Sequence, residues 1–277
     1  MVFCKKRWRY NIMIEFNSAL REFFAWTAWS MQRPPAYGAF HLTFTFVGLA
    51  ISILAARMLR KIGDRGNRIL LISCGVFLLV CEVYKQLFYY YYIGGEHYQW
   101  WIFPFQMCSV PMYLCLIAPL LKPGKVQKAM YSFMMLYNLL GGFMAFVEPS
   151  GIVHEYWTLT LHAFIWHMCL VFIGLYLAMS DRGGKQMKDY RSASYTFVAL
   201  CVIAFCINLA LRDVSGGSVN MFFVGPSNSS LIVFKQISEA AGWYVSTLLY
   251  IPTVCLGSFL IFLPFHLHHK KRTAVTV

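Results

Sequence analysis

Charge is scarce in this chain. Only 13% of its 277 residues are charged, where a soluble domain carries about 25%, and 11 are acidic. Hydrophobic residues make up 59%, and the mean hydropathy is +0.56. Together these exclude a soluble globular domain and leave an integral membrane protein. Other signals are missing as well. Strand-like alternation does not occur, which excludes a β-barrel. There is no internal repeat, so the doubled architecture of many transporters has no support. The nine cysteines lie scattered, mostly in apolar runs, without a CxxC pair. That argues against a disulfide framework and a zinc site. The first apolar stretch lacks a small-residue cleavage site, so no removable signal peptide is expected.

What is present is a series of apolar runs at 36–59, 69–93, 101–121, 128–147, 156–179, 193–212 and 240–263. Each approaches the roughly 20 residues needed to cross the hydrocarbon core. The expected fold is all-α: a polytopic membrane protein of about seven transmembrane helices with a polar chamber in its outer half. A basic, amphipathic segment (1–35) precedes the membrane domain (36–264), and a basic tail (265–277) follows it. The net charge of +13 reflects topology rather than nucleic acid binding. Lys and Arg cluster in the loops after spans one, three and five and in the tail. Loops 94–100 and 148–155 hold Glu96, Glu148 and Glu155 and no Lys or Arg. The positive-inside rule then puts the C-terminus in the cytoplasm of a multi-pass protein of the cell membrane. Segment 1–35, with its "KKRWR" at 5–9, is either an interfacial helix on the outer leaflet or re-enters.

Polar residues inside the spans are expensive and face a cavity or a partner. Span two carries Glu82, Lys85 and Gln86, with Glu82 and Lys85 spaced to pair across one turn, either as a structural ion pair or as part of a site. Span three contains "PFQMCSVP" (104–111). Read as a helix, it projects Pro104, Cys108, Pro111, Cys115 and Pro119 within about 60° of one another. Pro111 removes a helical hydrogen bond, so Cys108 is either a small residue filling a kink or a nucleophile presented by a break. Span five adds His162 and His167, about 140° apart. Asn138 and Asn208 are polar groups in spans four and six, and His41 opens span one. Counted at 1.5 Å per residue, Cys108 lies about 10 Å deep, His162 and His167 roughly 9 and 16 Å, and Lys85 and Glu82 about 12 and 16 Å. A thiol, imidazoles and a carboxylate at one depth are the parts of a nucleophilic acyl-transfer site whose substrate enters from the lipid. The alternatives are a proton-coupled transporter or channel using Glu82, Lys85 and His167, and a structural membrane protein whose polar layer only joins helices.

"FPFQMCSVPMYL" (103–114) resembles the Leu-Pro-Leu-His-Leu-Cys-Ser signature of the YwaF-like integral membrane family. The vertebrate transmembrane protein 164, a cysteine-dependent phospholipid acyltransferase, is related to that family. "FHL" (40–42) is similar to its span-one opening and "FIWHMCL" (164–170) to its span-five histidine segment. "GGSVNMFFVGP" (216–226) and "GWYV" (242–245) resemble its elements before and within the last span. The matches run in order over roughly 36–263. Gln106 stands where the family commonly has histidine, and Gly242 where it often has proline. The resemblance implies that Cys108 takes an acyl chain from a phospholipid as a thioester and passes it to a lysophospholipid. His167 would be the general base, oriented by Glu82 or Asn138. His162, Lys85 and Gln106 would bind headgroup or oxyanion, with His41 and Asn220 as further supporting residues. No metal and no cofactor is expected; a coenzyme A site has no phosphate loop or soluble domain to house it. The "HLHH" at 266–269 is assigned to the membrane interface.

Overall fold

The computed structural model describes residues 2–275 and is all-α, with a single isolated bridge, between Ser30 and Tyr156. Its helices are α1 (Val2–Thr27), α2 (Ala39–Leu59), α3 (Asp64–Phe88), α4 (Val110–Ile117), α5 (Lys125–Val147), α6 (Trp157–Met179), α7 (Met187–Ala210), α8 (Ile232–Ala241) and α9 (Trp243–Val275). Among the described residues, six helices are long and apolar enough to cross a membrane: α2, α3 with its extension, α5, α6, α7 and α9. Helices α5 and α6 form the centre, with 61% and 56% of their apolar windows buried, against 17% for α2 and α9. Two glycines let them approach. A Cβ at Gly142 would stand 2.6 Å from Val171 Cγ2, and one at Gly174 would stand 2.6 Å from Leu139 Cγ.

The third crossing departs from the helix expected over 101–121. A short 3-10 turn (Trp100–Ile102) is followed by irregular backbone over 103–109, then α4 and a second 3-10 turn (Ala118–Leu120). Pro111 does not kink a running helix. It sits in the first turn of α4, where no partner for its missing N–H is needed. The helical projection of Pro104 and Cys108 onto one face, and the depth counted along it, therefore do not hold for this stretch. Helix α4 packs back along α3, with Leu116 and Cys115 against Gly75, so the chain still returns across the bundle.

The loops segregate by charge. At one end Arg182 bonds Asp64 at 2.7 Å, Lys128 bonds the 181–183 carbonyls and His266 bonds the Lys185 carbonyl at 2.7 Å. This lysine-rich end gathers the loops after α2, α4 and α6 with the last turns of α9, which runs on through Lys270 and Lys271 without a break. At the acidic end α3 continues as a π-helical turn (Tyr89–Ile93). There the C-terminal half of α1 packs on it, with Asn17 bonded to Tyr91 at 3.2 Å, Thr27 to Tyr84 at 2.9 Å and Arg21 paired with Glu96. Side chains of residues 2–14, including "KKRWR", lie outside the description. Helix α8 was absent from the sequence expectations. It folds against α9 through Gly242, whose φ of +90° suits glycine and is closed to proline.

Candidate functional site

The irregular stretch 103–109 puts backbone carbonyls where no helix satisfies them, and side chains from three directions take over that task. Gln86 Nε2 of α3 donates to the Ile102 carbonyl at 2.8 Å, and Tyr113 Oη donates to the Pro104 carbonyl at 2.7 Å. Trp166 Nε1 of α6 donates to the Cys108 carbonyl at 3.0 Å. Irregular backbone at this level is tolerated only because protein surrounds it. The Cys108 side chain is partly exposed, while its neighbours Ser109 and Val110 are buried. Its own N–H donates to no carbonyl among the described residues.

Lys85 is the electrostatic hub. Its ammonium stands 2.9 Å from Glu82 Oε2, and Gln86 Nε2 donates to the other carboxylate oxygen at 2.6 Å. The same ammonium is within electrostatic reach of the Cys108 thiol and of His154, His162 and His167. Glu82 also acts on Cys108, and on Tyr98 and Tyr113. Of the polar residues expected at one level, the structure thus gathers Cys108, Glu82, Lys85, His162 and His167.

The histidines are held differently from each other. His167 Nδ1 contacts the Ala163 carbonyl at 2.7 Å, one turn back on its own helix. A contact to a carbonyl requires the proton on Nδ1, which leaves Nε2 as the basic nitrogen. The Ala163 carbonyl orients this ring, in place of Glu82 or Asn138, and no hydrogen bond joins it to Cys108 among the described residues. His162 Nε2 contacts the Cys81 carbonyl at 3.0 Å, and its ring stacks on Trp166 at 5.6 Å. It is committed to joining α6 to α3. Trp166 carried no sequence signal for this role, yet it touches both His162 and the Cys108 carbonyl.

The remaining candidates separate. Gln106 spends its whole amide on one loop, accepting from Phe222 N at 2.9 Å and donating to the Asn220 carbonyl at 3.2 Å. Asn220 Oδ1 accepts from Gly225 N at 3.0 Å, and Asn208 holds Met221 at both backbone atoms (2.6 and 3.0 Å). These three residues fix a loop in which Phe222 and Phe223 both take φ of 55°, a strained setting for side chains of that size. Phe222 then lies against Phe105 with the rings tilted, beside the cysteine segment. His41 is elsewhere, 1% exposed among Tyr37, Phe146 and Phe164 at the α2–α6 contact, with Tyr37 N donating to its Nδ1 at 3.1 Å. Asn138 is 2% exposed, and neither polar atom of its side chain has a partner among the described residues. On α5 it lies between Met134, which touches Cys115, and Gly141, which faces Met107. One helix face carries all three, so Asn138 is directed at the segment between Met107 and Cys115.

No group of three or more His, Cys, Asp or Glu side chains with metal-holding geometry occurs among the described residues. Neither the curated proteins nor the solved structures yield a match. A comparison with protein families matches residues 30–263 to the TMEM164 family. That interval runs from the bridge residue Ser30 to the apolar part of α9, and on that match the chain belongs to the TMEM164 family.

Proposed function

We propose that this protein is a membrane-embedded transacylase that moves an acyl chain from a phospholipid to a lysophospholipid through a thioester on Cys108. The observation that carries the reading is the setting of that thiol. It is partly exposed on unwound backbone, and its N–H has no carbonyl partner among the described residues. The thiolate is the reactive form, so a neighbouring base has to take the thiol proton. In the first half-reaction the sulfur bonds to the ester carbonyl carbon, and the carbon–oxygen bond to glycerol breaks. The departing lysophospholipid oxygen takes the thiol proton, relayed by His167 Nε2. In the second half-reaction an acceptor hydroxyl attacks the thioester while His167 accepts its proton, and the leaving sulfur takes that proton back to restore the thiol. The Cys108 N–H is available to the oxyanion of both tetrahedral intermediates, and Lys85 adds positive charge. Asn138 is a buried amide, unpartnered among the described residues, on the helix face turned to the cysteine segment, placed to meet a substrate atom that enters that segment. The positive-inside rule supports a cell-membrane location with the acidic end outside and the C-terminus in the cytoplasm.

The test is lipid remodelling by purified protein in mixed phospholipid and lysophospholipid micelles. Cys108→Ser is expected to abolish transfer with the fold retained, and mass spectrometry of the wild type is expected to find an acyl group on Cys108. Unchanged turnover in the variant would overturn the proposal. The Glu82–Lys85 pair beside three imidazoles favours one other reading, a proton relay. In that case Glu82→Gln stops proton-coupled flux in liposomes and Cys108→Ser does not.

A further inference from the structure

The lysine-rich end contains an open cleft of about 860 Å³, far from the cysteine segment and unused by acyl transfer. Its wall is built from the first turns of two helices. Gly124, Lys125 and Lys128 begin α5, and Gln186, Lys188 and Asp189 begin α7. A helix N-terminus carries a positive dipole end; α5 begins without a side-chain cap, whereas α7 closes its own first turn with a capping box, so the α5 end is the one that favours an anion.

The charged side chains add to this. Lys128 Nζ is anchored by the carbonyls of Asp181, Arg182 and Gly183 at 3.1–3.3 Å, which fixes the α6–α7 loop as the floor. Lys185 pairs with Asp181 at 2.5 Å, and its side chain is only 14% exposed. Asp189 is taken up in the capping box of α7, accepting from Gln186 N at 3.0 Å. Both carboxylates in the wall therefore have internal partners. Lys125 and Lys188 are exposed on the rim and form no ion pair among the described residues. The cleft holds two cations without counter-charges above a floor already ordered by a third.

We propose that this cleft binds a phosphoryl group. The cleft opens where the apolar spans α5 and α7 begin, which is headgroup level, so a phosphorylated lipid headgroup is the source its position matches. Basic pockets between transmembrane helices take such headgroups at the cytoplasmic face. The chemistry recognised is a dianionic phosphate with room around it for a polyol.

The experiment uses the full chain in phosphatidylcholine nanodiscs with and without a minor fraction of a phosphatidylinositol phosphate, read by native mass spectrometry. A parallel arm titrates soluble inositol polyphosphate into protein in neutral detergent. The phosphorylated lipid is expected to be retained by wild type. Lys125→Gln/Lys188→Gln is expected to weaken retention by about fivefold per lysine, about twenty-five-fold in all. Lys188→Gln alone, an exposed rim change, gives the single-lysine step if the double variant is poorly folded. Binding of the soluble headgroup as tightly as the lipid assigns the cleft to a soluble phosphorylated anion. Failure of both probes to bind, or equal binding by wild type and variants, overturns the proposal.

Discussion

Asn138 is the residue whose chemistry is least explained by packing. A buried amide with no partner costs about 1–3 kcal/mol, and an isosteric apolar side chain removes that cost. Asn138→Leu is therefore expected to hold or raise the thermal unfolding temperature in detergent while acyl transfer falls. Loss of stability without loss of transfer would assign Asn138 to the fold. Lys85 predicts the opposite pattern. Glu82 is 3% exposed, so Lys85→Gln leaves its carboxylate without a counter-ion and is expected to cost about 3 kcal/mol. Glu82→Gln/Lys85→Gln is expected to recover most of that, and a double-mutant cycle on unfolding measures the coupling. His154, in the loop before α6, has its pKa pushed down to about 4 by burial, with Arg33 and Lys85 adding. The folded state thus binds fewer protons than the unfolded chain between about pH 4 and 6.5. Stability is expected to fall as pH drops through that window, and His154→Gln to flatten the fall in a pH series of melting curves. At this scale Cys108 stands out as a candidate in the sequence because prolines flank it on both sides. Trp166 does not, because an indole bonded to a carbonyl 58 residues away leaves no spacing in the sequence.

Helices announce themselves by length and hydropathy, and six spans were legible on those grounds alone. The third was misread because apolarity says a segment is buried without saying that it is helical. Pro104 and Pro111 set the limits of the irregular stretch, and α4 could begin at Val110 because proline is accommodated in a first turn. Pro111→Ala is accordingly expected to change stability by less than about 1 kcal/mol, where a proline in mid-helix costs about 3. Thermal melts of the two proteins settle which position it occupies. The contact of α5 with α6 is less forgiving. Gly142→Ala sets a methyl against Val171 and the His167 carbonyl and is expected to destabilise by about 1–3 kcal/mol, again read by melting. The α8–Gly242–α9 turn escaped notice because α8 is only ten residues long and carries Lys235, Gln236 and Glu239, so hydropathy and length do not mark it as a span. Its φ of +90° explains why glycine stands where the resembling family often has proline.

Across the whole molecule the charge segregation that set the expected orientation reappears as two distinct ends, each tied together by its own contacts. An impermeant maleimide applied to intact cells is expected to label Glu96→Cys and to leave Lys122→Cys unlabelled until the membrane is opened. The reverse pattern would invert the topology. The unwound third crossing also bears on how the protein is made. Residues 110–120 are too short to cross a bilayer, and the backbone ahead of them is satisfied by a glutamine already synthesised in α3 and a tryptophan still to come in α6. On that geometry the settling of this segment is expected to depend on α6, which leaves the ribosome later. Chains arrested before Trp166 are expected to leave Cys108 open to aqueous maleimide, and chains extended beyond α6 to shield it. The cysteine would then reach its working environment only once the central helix pair has closed around it.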